Sequence, residues 1–241
     1  VHLIERAGVL VFALPVRVEG LDAFSMWAGE EHRRPVIVAS HQPAGDRLRF
    51  SVAHELGHLV MHAPINGMVQ QLEREADAFA ASFLMPEEGI RRDIVPPVTL
   101  TALAALKPRW RVAISALVRR SRDLRIVSET QYRYLMKQLS ARGWRTEEPP
   151  GLAVAPEKPR AFRKMAEVLY HPGAEAEGLA GASGILPQTA RDILAAHAEL
   201  AELTVGAPPR PSAARIVSIG DSATNGASTW SSTSDPQHHQ E

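Results

Sequence analysis

The stretch Arg49–His58 reads RFSVAHELGH and places two histidines four positions apart around Glu55. Apolar residues recur three to four positions apart from about residue 47 to residue 62, which predicts one amphipathic helix. Residues four apart lie on one helix face, so the imidazoles of His54 and His58 can bind the same metal ion. Glu55 lies beside them, where a carboxylate can accept a proton from an attacking water. The spacing favours a hydrolytic metal site over the alternative, two exposed histidines that flank a glutamate.

A second helix, predicted over Gln70–Met85 and ended by a proline, offers the third ligand that a catalytic zinc needs. Glu73 and Asp77 are four apart on one face of it. We interpret Glu73 as the metal ligand and Asp77 as the acceptor of a hydrogen bond from a ligand histidine. Glu75 is the alternative ligand, although a solvated helix charge is the simpler interpretation.

Two details of this helix pair are left open by the sequence. Glu73 follows His58 by only 15 positions, which is short for two helices and a loop. If residues are absent from the numbering, the break is expected near Asn66-Gly67. His62, one turn beyond His58, is either a support for a ligand or, as we favour, a histidine at the surface or the edge of the core.

Composition restricts the chemistry of the site. The chain has 241 residues, of which 45% are hydrophobic, and its 27 basic residues equal its 27 acidic ones. A chain that coats nucleic acid through its overall charge is therefore excluded, although a local basic patch is not. Because there is no cysteine, a metal must be held by histidine and carboxylate. No apolar run is long enough for a membrane span, so a cytoplasmic protein without membrane contact is predicted.

The region before the metal helix predicts a small sheet. Gly8–Val18 and Arg34–Ser40 are rich in β-branched residues and are predicted as strands. Asp46 follows a loop with turn residues and is predicted to be the N-cap of the metal helix.

A helical unit is predicted after the metal helices, over Thr99–Leu106, Arg111–Arg122 and Glu129–Arg142. The segment 107–125 contains seven basic residues and one acidic residue. This pattern resembles a helix-turn-helix. Arginines on the solvated face of a helical scaffold are the favoured interpretation, and a weak DNA contact is the alternative. The Pro-rich segment 147–151 is interpreted as a linker, residues 214–219 as a strand, and residues 221–241 as a disordered tail.

The metal-site motifs resemble a known family. They are Arg49–His58, then Glu73-x-x-Ala76-Asp77-x-Phe79-Ala80, then Leu84-Met85-Pro86. This pattern resembles the ImmA/IrrE peptidases, which are zinc-dependent, have a thermolysin-like helix pair and typically cleave helix-turn-helix repressors. The resemblance covers residues 34–86 and extends more weakly to about 150. It implies that His54, His58 and Glu73 bind zinc and that Glu55 is the general acid/base.

The resemblance implies an α+β fold in several parts. A thermolysin-like zinc peptidase domain (small sheet plus HExxH helix pair) is expected over 1–98 and a helix-turn-helix-like unit over 99–148. A GAF-like α/β sensor domain, open to a small-molecule signal, is expected over 149–220. That last expectation comes from family members that carry a C-terminal extension and regulate radiation and desiccation resistance.

The implied function is a zinc-dependent, site-specific endopeptidase that cleaves a repressor and so induces a radiation or DNA-damage response. Mn²⁺ or Fe²⁺ are alternative metals for the same ligands. The substrate is expected to add as a strand beside the edge formed by residues 34–40. The alternative function is a non-enzymatic regulator that binds DNA or protein and uses zinc for structure.

Overall fold

The computed structural model describes residues 1–41, 44–62 and 69–197. The strands are β1 (Leu10–Ala13), β2 (Ala23–Ala28) and β3 (Arg34–Ala39). The helices are α1 (His2–Arg6), α2 (Gly45–Met61), α3 (Val69–Leu84), α4 (Glu87–Asp93), α5 (Leu100–Trp110), α6 (Ile114–Asp123), α7 (Glu129–Ala141), α8 (Ala161–Leu169), α9 (Glu175–Ser183) and α10 (Pro187–Ala195). The predicted loop at Asn66-Gly67, the strand over 214–219 and the tail over 221–241 lie outside the described residues. None of the described helices has the length and apolar character to cross a bilayer.

The three strands form a mixed sheet in the order β1-β3-β2. β1 pairs with β3 in parallel, with Leu10 opposite Val36, and β2 pairs with β3 antiparallel, with Ala23 opposite Ala39. The prediction that residues 34–40 form an edge is therefore wrong, because β3 is hydrogen-bonded on both sides. The edge strands are β1 and β2, and β2 is an element that the sequence analysis did not identify.

The strand predicted over Gly8–Val18 is only four residues long. Its pairing ends soon after Ala13, with one further backbone bond from Leu14 to Ala39. Pro15 follows, and proline has no N–H to donate to the next rung. Val11 and Ile37 are fully buried in the core that this sheet shares with α2.

The metal helix begins one residue before the predicted cap. Ala44 is the N-cap and Gly45 the first helical residue, so Asp46 lies inside the first turn. Asp46 accepts a bond from its neighbour's N–H and another, 2.5 Å long, from Nζ of the buried Lys107. Asp46 is thus ion-paired within the first turn and does not cap the helix, so the prediction of an N-cap is wrong.

The helices α4–α7 enclose a second core, built from residues between Met85 and Leu139. The predicted helix over 99–106 is capped by Thr99 and extends to Trp110, past Pro108. The predicted helix over 111–122 begins later, at Ile114, because Arg111 takes a left-handed conformation with φ +54° and ends α5.

The described part of the C-terminal region is helical. The segment predicted as a linker packs against the rest of the chain, since Glu148 accepts bonds from Lys107 and from the backbone N–H of Ile114. Residues 150–152 form a 3₁₀ turn, and α8–α10 follow. The GAF-like α/β domain expected over 149–220 gains no support, because residues 149–197 contain helices and turns but no strand. The mixed α+β class itself is confirmed by the sheet and the helices around it.

Candidate metal centre

Two helices, α2 and α3, pack closely enough for their side chains to share one site. Gly57 lies at the contact, where an added Cβ would stand 3.2 Å from Cα of Ala76 and 3.2 Å from the side chain of Phe79. Ala76 and Ala80 on the facing side of α3 are fully buried. Small residues on both helices therefore allow the close approach. His58 and Glu73 are in contact although only 15 positions separate them.

The three predicted ligands converge on one point. The Nε2 atoms of His54 and His58 are 3.1 Å apart, and the Glu73 carboxylate oxygens lie 3.2 Å and 3.3 Å from them. Zinc bonds of about 2.0–2.2 Å in tetrahedral geometry place neighbouring ligand atoms about 3.3 Å apart. The donor set and its separations thus fit a divalent cation of zinc's size.

The site is open on one side. The side chains of His54 and His58 are 16% and 21% exposed, whereas that of Glu73 is 54% exposed. Structural zinc sites are closed by four protein ligands, whereas catalytic sites keep a position for water or substrate. Three protein ligands facing solvent match the catalytic type.

His54 is held from its far side by Asp77. The Nδ1 atom of His54 lies 2.9 Å from Oδ1 of Asp77 on α3. This hydrogen bond raises the pKa of His54 above its ordinary value, against the opposite effect of partial burial. Because a carboxylate only accepts, Nδ1 carries the proton and Nε2 presents its lone pair to the metal position. The contact matches the role interpreted for Asp77 from its spacing.

His62 lies closer to the candidate ligands than the sequence favoured, whereas Glu75 is an exposed helix charge, as the sequence favoured. Nδ1 of His62 lies 2.9 Å from Nδ1 of His58, and Nε2 of His62 lies 3.0 Å from Oε2 of Glu75. Glu75 also accepts a bond from Gln71, and the bonds from Gln71 and His62 lower the pKa of Glu75. His62 thus contacts a candidate ligand, and Glu75 contacts His62 rather than the metal position.

Glu55 projects beside the ligands toward β2. Its Oε2 accepts a 2.7 Å hydrogen bond from Oγ of Ser25, which lies in the middle of that strand. An open cavity of about 410 Å³ adjoins Glu55 and His54 and is also lined by residues that precede and begin β2, namely Arg17, Val18, Gly20, Leu21, Asp22 and Ala23. The structure therefore places a carboxylate, the candidate metal ligands and an accessible volume together.

The basic segment 107–125 is engaged largely within the protein. Lys107 and Arg120 are buried, and Arg120 donates to the backbone carbonyl of Met85. Arg109 pairs with Asp93, and Arg122 pairs with its neighbour Asp123. These contacts use several of the cations for packing, while the DNA contact itself stays a prediction.

Sequence reasoning missed Ser25 and gave the supporting role of His62 only as the less favoured of two interpretations. Ser25 carries no motif, and its relation to Glu55 depends on the pairing of β2 with β3. His62 did carry a signal, since it repeats the four-residue spacing of His54 and His58 along α2.

The comparisons with known proteins agree with this geometry. Residues 4–122 match the model of a peptidase family described as the IrrE N-terminal-like domain. The matched segment contains His54, Glu55, His58 and Glu73. It supports the ImmA/IrrE family for this part of the chain and a metallopeptidase-like function. No match was found among curated proteins.

Proposed function

We propose that the chain is a zinc-dependent endopeptidase that cleaves a helix-turn-helix repressor and thereby induces a radiation or DNA-damage response. The observation that carries the peptidase part is the convergence of His54, His58 and Glu73 beside Glu55, in a segment that matches a peptidase family. The repressor substrate and the stress response are supported by the motif resemblance alone.

In this proposal each polar residue of the site has one task. His54, His58 and Glu73 hold the ion, which when bound polarises the scissile carbonyl and acidifies the attacking water. Glu55 accepts the proton of that water and later delivers it to the leaving amine. Ser25 donates to Oε2 of Glu55 and so limits the rotation of the carboxylate.

The substrate backbone is proposed to pair with the outer edge of β2. The other edge of the sheet is covered, because the Ala13 N–H donates to Nε2 of His197 and Phe12 packs against Phe162 at 4.8 Å. In the described part of the chain, no strand pairs with the outer edge of β2. An extended peptide added there would lie about 4.8 Å from β2, on the strand whose Ser25 contacts Glu55.

Cleavage by matched variants tests the proposal. The zinc-loaded full chain is incubated with candidate repressors, with and without a chelator, and the fragments are analysed by mass spectrometry. Glu55→Gln is expected to keep its zinc and to lose cleavage by about 10²–10⁴-fold, which is the usual contribution of a general acid/base.

Glu88→Gln is the matched control, because Glu88 is an exposed helical glutamate outside the site. It is expected to cleave like the unmodified chain. If Glu55→Gln with normal zinc content produced the same fragments at the same rate, the mechanism would be refuted.

A further inference from the structure

A hydrogen-bonded relay, formed by Glu75, His62 and His58, connects the surface of α3 to one proposed metal ligand. It runs from Oε2 of Glu75 to Nε2 of His62 over 3.0 Å, then from Nδ1 of His62 to Nδ1 of His58 over 2.9 Å. The far end, Nε2 of His58, faces the metal position. The relay therefore joins the end of α2 to the second turn of α3.

The chemistry of these groups determines which ring nitrogen carries each proton in the relay. A carboxylate only accepts hydrogen bonds, so Nε2 of His62 must donate to Glu75. A neutral imidazole then has its acceptor at Nδ1, and His62 can only accept from His58. Nδ1 of His58 is thus the protonated nitrogen, and its Nε2 lone pair is directed at the metal position.

We propose that His62 and Glu75 are positioning residues, which fix the tautomer and the ring orientation of the ligand His58. They do for this ligand what Asp77 does for His54, but through an additional imidazole. The inference rests on the metal site of the proposed function and is independent of the substrate.

The surroundings of His62 are those of a fixed group. Its side chain is only 6% exposed, although His62 is the C-cap of α2. Its ring lies 5.0 Å from that of His58, and Gln71 donates a 2.8 Å bond to the other oxygen of Glu75. The Glu75 end of the relay is therefore oriented by a further hydrogen bond, and burial leaves the ring of His62 little freedom to turn.

Zinc affinity measures the relay without reference to catalysis. The full chain is titrated with Zn²⁺ in competition with a chromophoric chelator. His62→Ala is expected to weaken binding by about 10–100-fold, the usual effect of removing a partner of a ligand histidine. His62→Gln, whose side-chain oxygen can accept from His58, is expected to recover part of that loss.

His171→Ala is the matched control, because His171 is exposed and lies between α8 and α9. Its zinc affinity is expected to equal that of the unmodified chain. The melting temperatures of the metal-free variants are compared, so that a loss of affinity is not confused with unfolding.

A double substitution separates a relay from independent charge effects. Glu75→Ala alone is expected to weaken zinc binding, because His62 then loses the acceptor that fixes its tautomer. In the His62→Ala background the same change is expected to alter affinity by no more than about twofold, since coupled residues are not additive. Full additivity of the two changes would overturn the relay.

The possible failures are distinguishable. If the unmodified chain bound no zinc, both the proposed function and the relay would be refuted. If it bound zinc and His62→Ala bound it equally well, the relay alone would be refuted, and the peptidase proposal would stand.

Discussion

A buried lysine holds the start of the metal helix, and its removal gives a sharp prediction. Lys107 on α5 is 2% exposed, and its Nζ lies 2.5 Å from Oδ2 of Asp46 in the first turn of α2. It also donates to Oε2 of Glu148, whose other oxygen accepts a 2.7 Å bond from the Ile114 N–H. One cation thus compensates two carboxylates that are nearly removed from solvent.

The perturbation is Lys107→Met, which keeps most of the side-chain volume and removes the charge. Asp46 and Glu148, whose side chains are 10% and 13% exposed, would then face each other without a cation. Removing one partner of a buried ion pair costs about 3–5 kcal/mol. We expect a loss in this range, which is a large share of the stability of about 5–15 kcal/mol that is typical of folded proteins.

Urea denaturation followed by circular dichroism measures the loss. Lys137→Met is the control, because Lys137 is exposed on α7, and it should change the free energy of unfolding by less than about 0.5 kcal/mol. A loss below about 1 kcal/mol for Lys107→Met would refute the reasoning, since it would lie far under the cost of a broken buried pair.

A triple variant distinguishes charge from packing. Lys107→Met combined with Asp46→Asn and Glu148→Gln removes all three charges, and replacement of a whole buried ionic group is often close to neutral. The triple variant should therefore be more stable than Lys107→Met alone. If it were equally unstable or worse, the loss would come from packing and not from uncompensated charge.

Three further predictions concern the site and the covered sheet edge. Ser25→Ala removes the hydrogen bond that limits rotation of the Glu55 carboxylate, so kcat should fall by about 10–100-fold, the usual cost of a misplaced catalytic group, while zinc content stays constant; an unchanged kcat would contradict this. Gly57→Ala should be about 1–3 kcal/mol less stable than Gly181→Ala in urea denaturation, because the added methyl meets the α3 backbone at 3.2 Å, whereas at Gly181 it meets nothing within 4 Å. Burial lowers the pKa of His197 below its ordinary 6.5, so below that pH the unfolded chain binds a proton that the folded chain does not, and the stabilising contribution of this histidine is lost as pH falls. His197→Gln should remove that part of the pH dependence, and parallel stability curves for the two proteins would contradict it.

The convergence of His54, His58 and Glu73 was predictable because it depends on local helix geometry. The spacing of His54 and His58 places them on one face of any helix, and the apolar periodicity predicted that helix to within two residues at its start. The choice of Glu73 depended on predicting a second helix but not on knowing how that helix is oriented, because Glu73 and Asp77 lie on the same face of it. The structure brings these residues together at hydrogen-bonding distances.

What failed depends on partners distant in sequence. Aspartate is a residue type favoured at N-caps, but the partner of Asp46 is Lys107, 61 positions away. A rule based on neighbouring residues contains no information about that partner. The order of the strands is likewise a tertiary property, since β3 is central only because it pairs with β1 on one side and with β2 on the other. The GAF-like domain was expected from resemblance alone, and no pattern in the described residues 149–197 supported it.

The metal helix is held at both ends by groups that do not bind metal. At its start, Asp46 is paired with Lys107, and the Gly45 N–H donates to the carbonyl of Val154. At its end, His62 is bonded to Glu75 on the neighbouring helix. A helix fixed in this way need not rearrange to bring its imidazoles together, and the ordering that would otherwise oppose binding is completed during folding. Variants at either end should therefore lower zinc affinity even though no ligand is changed.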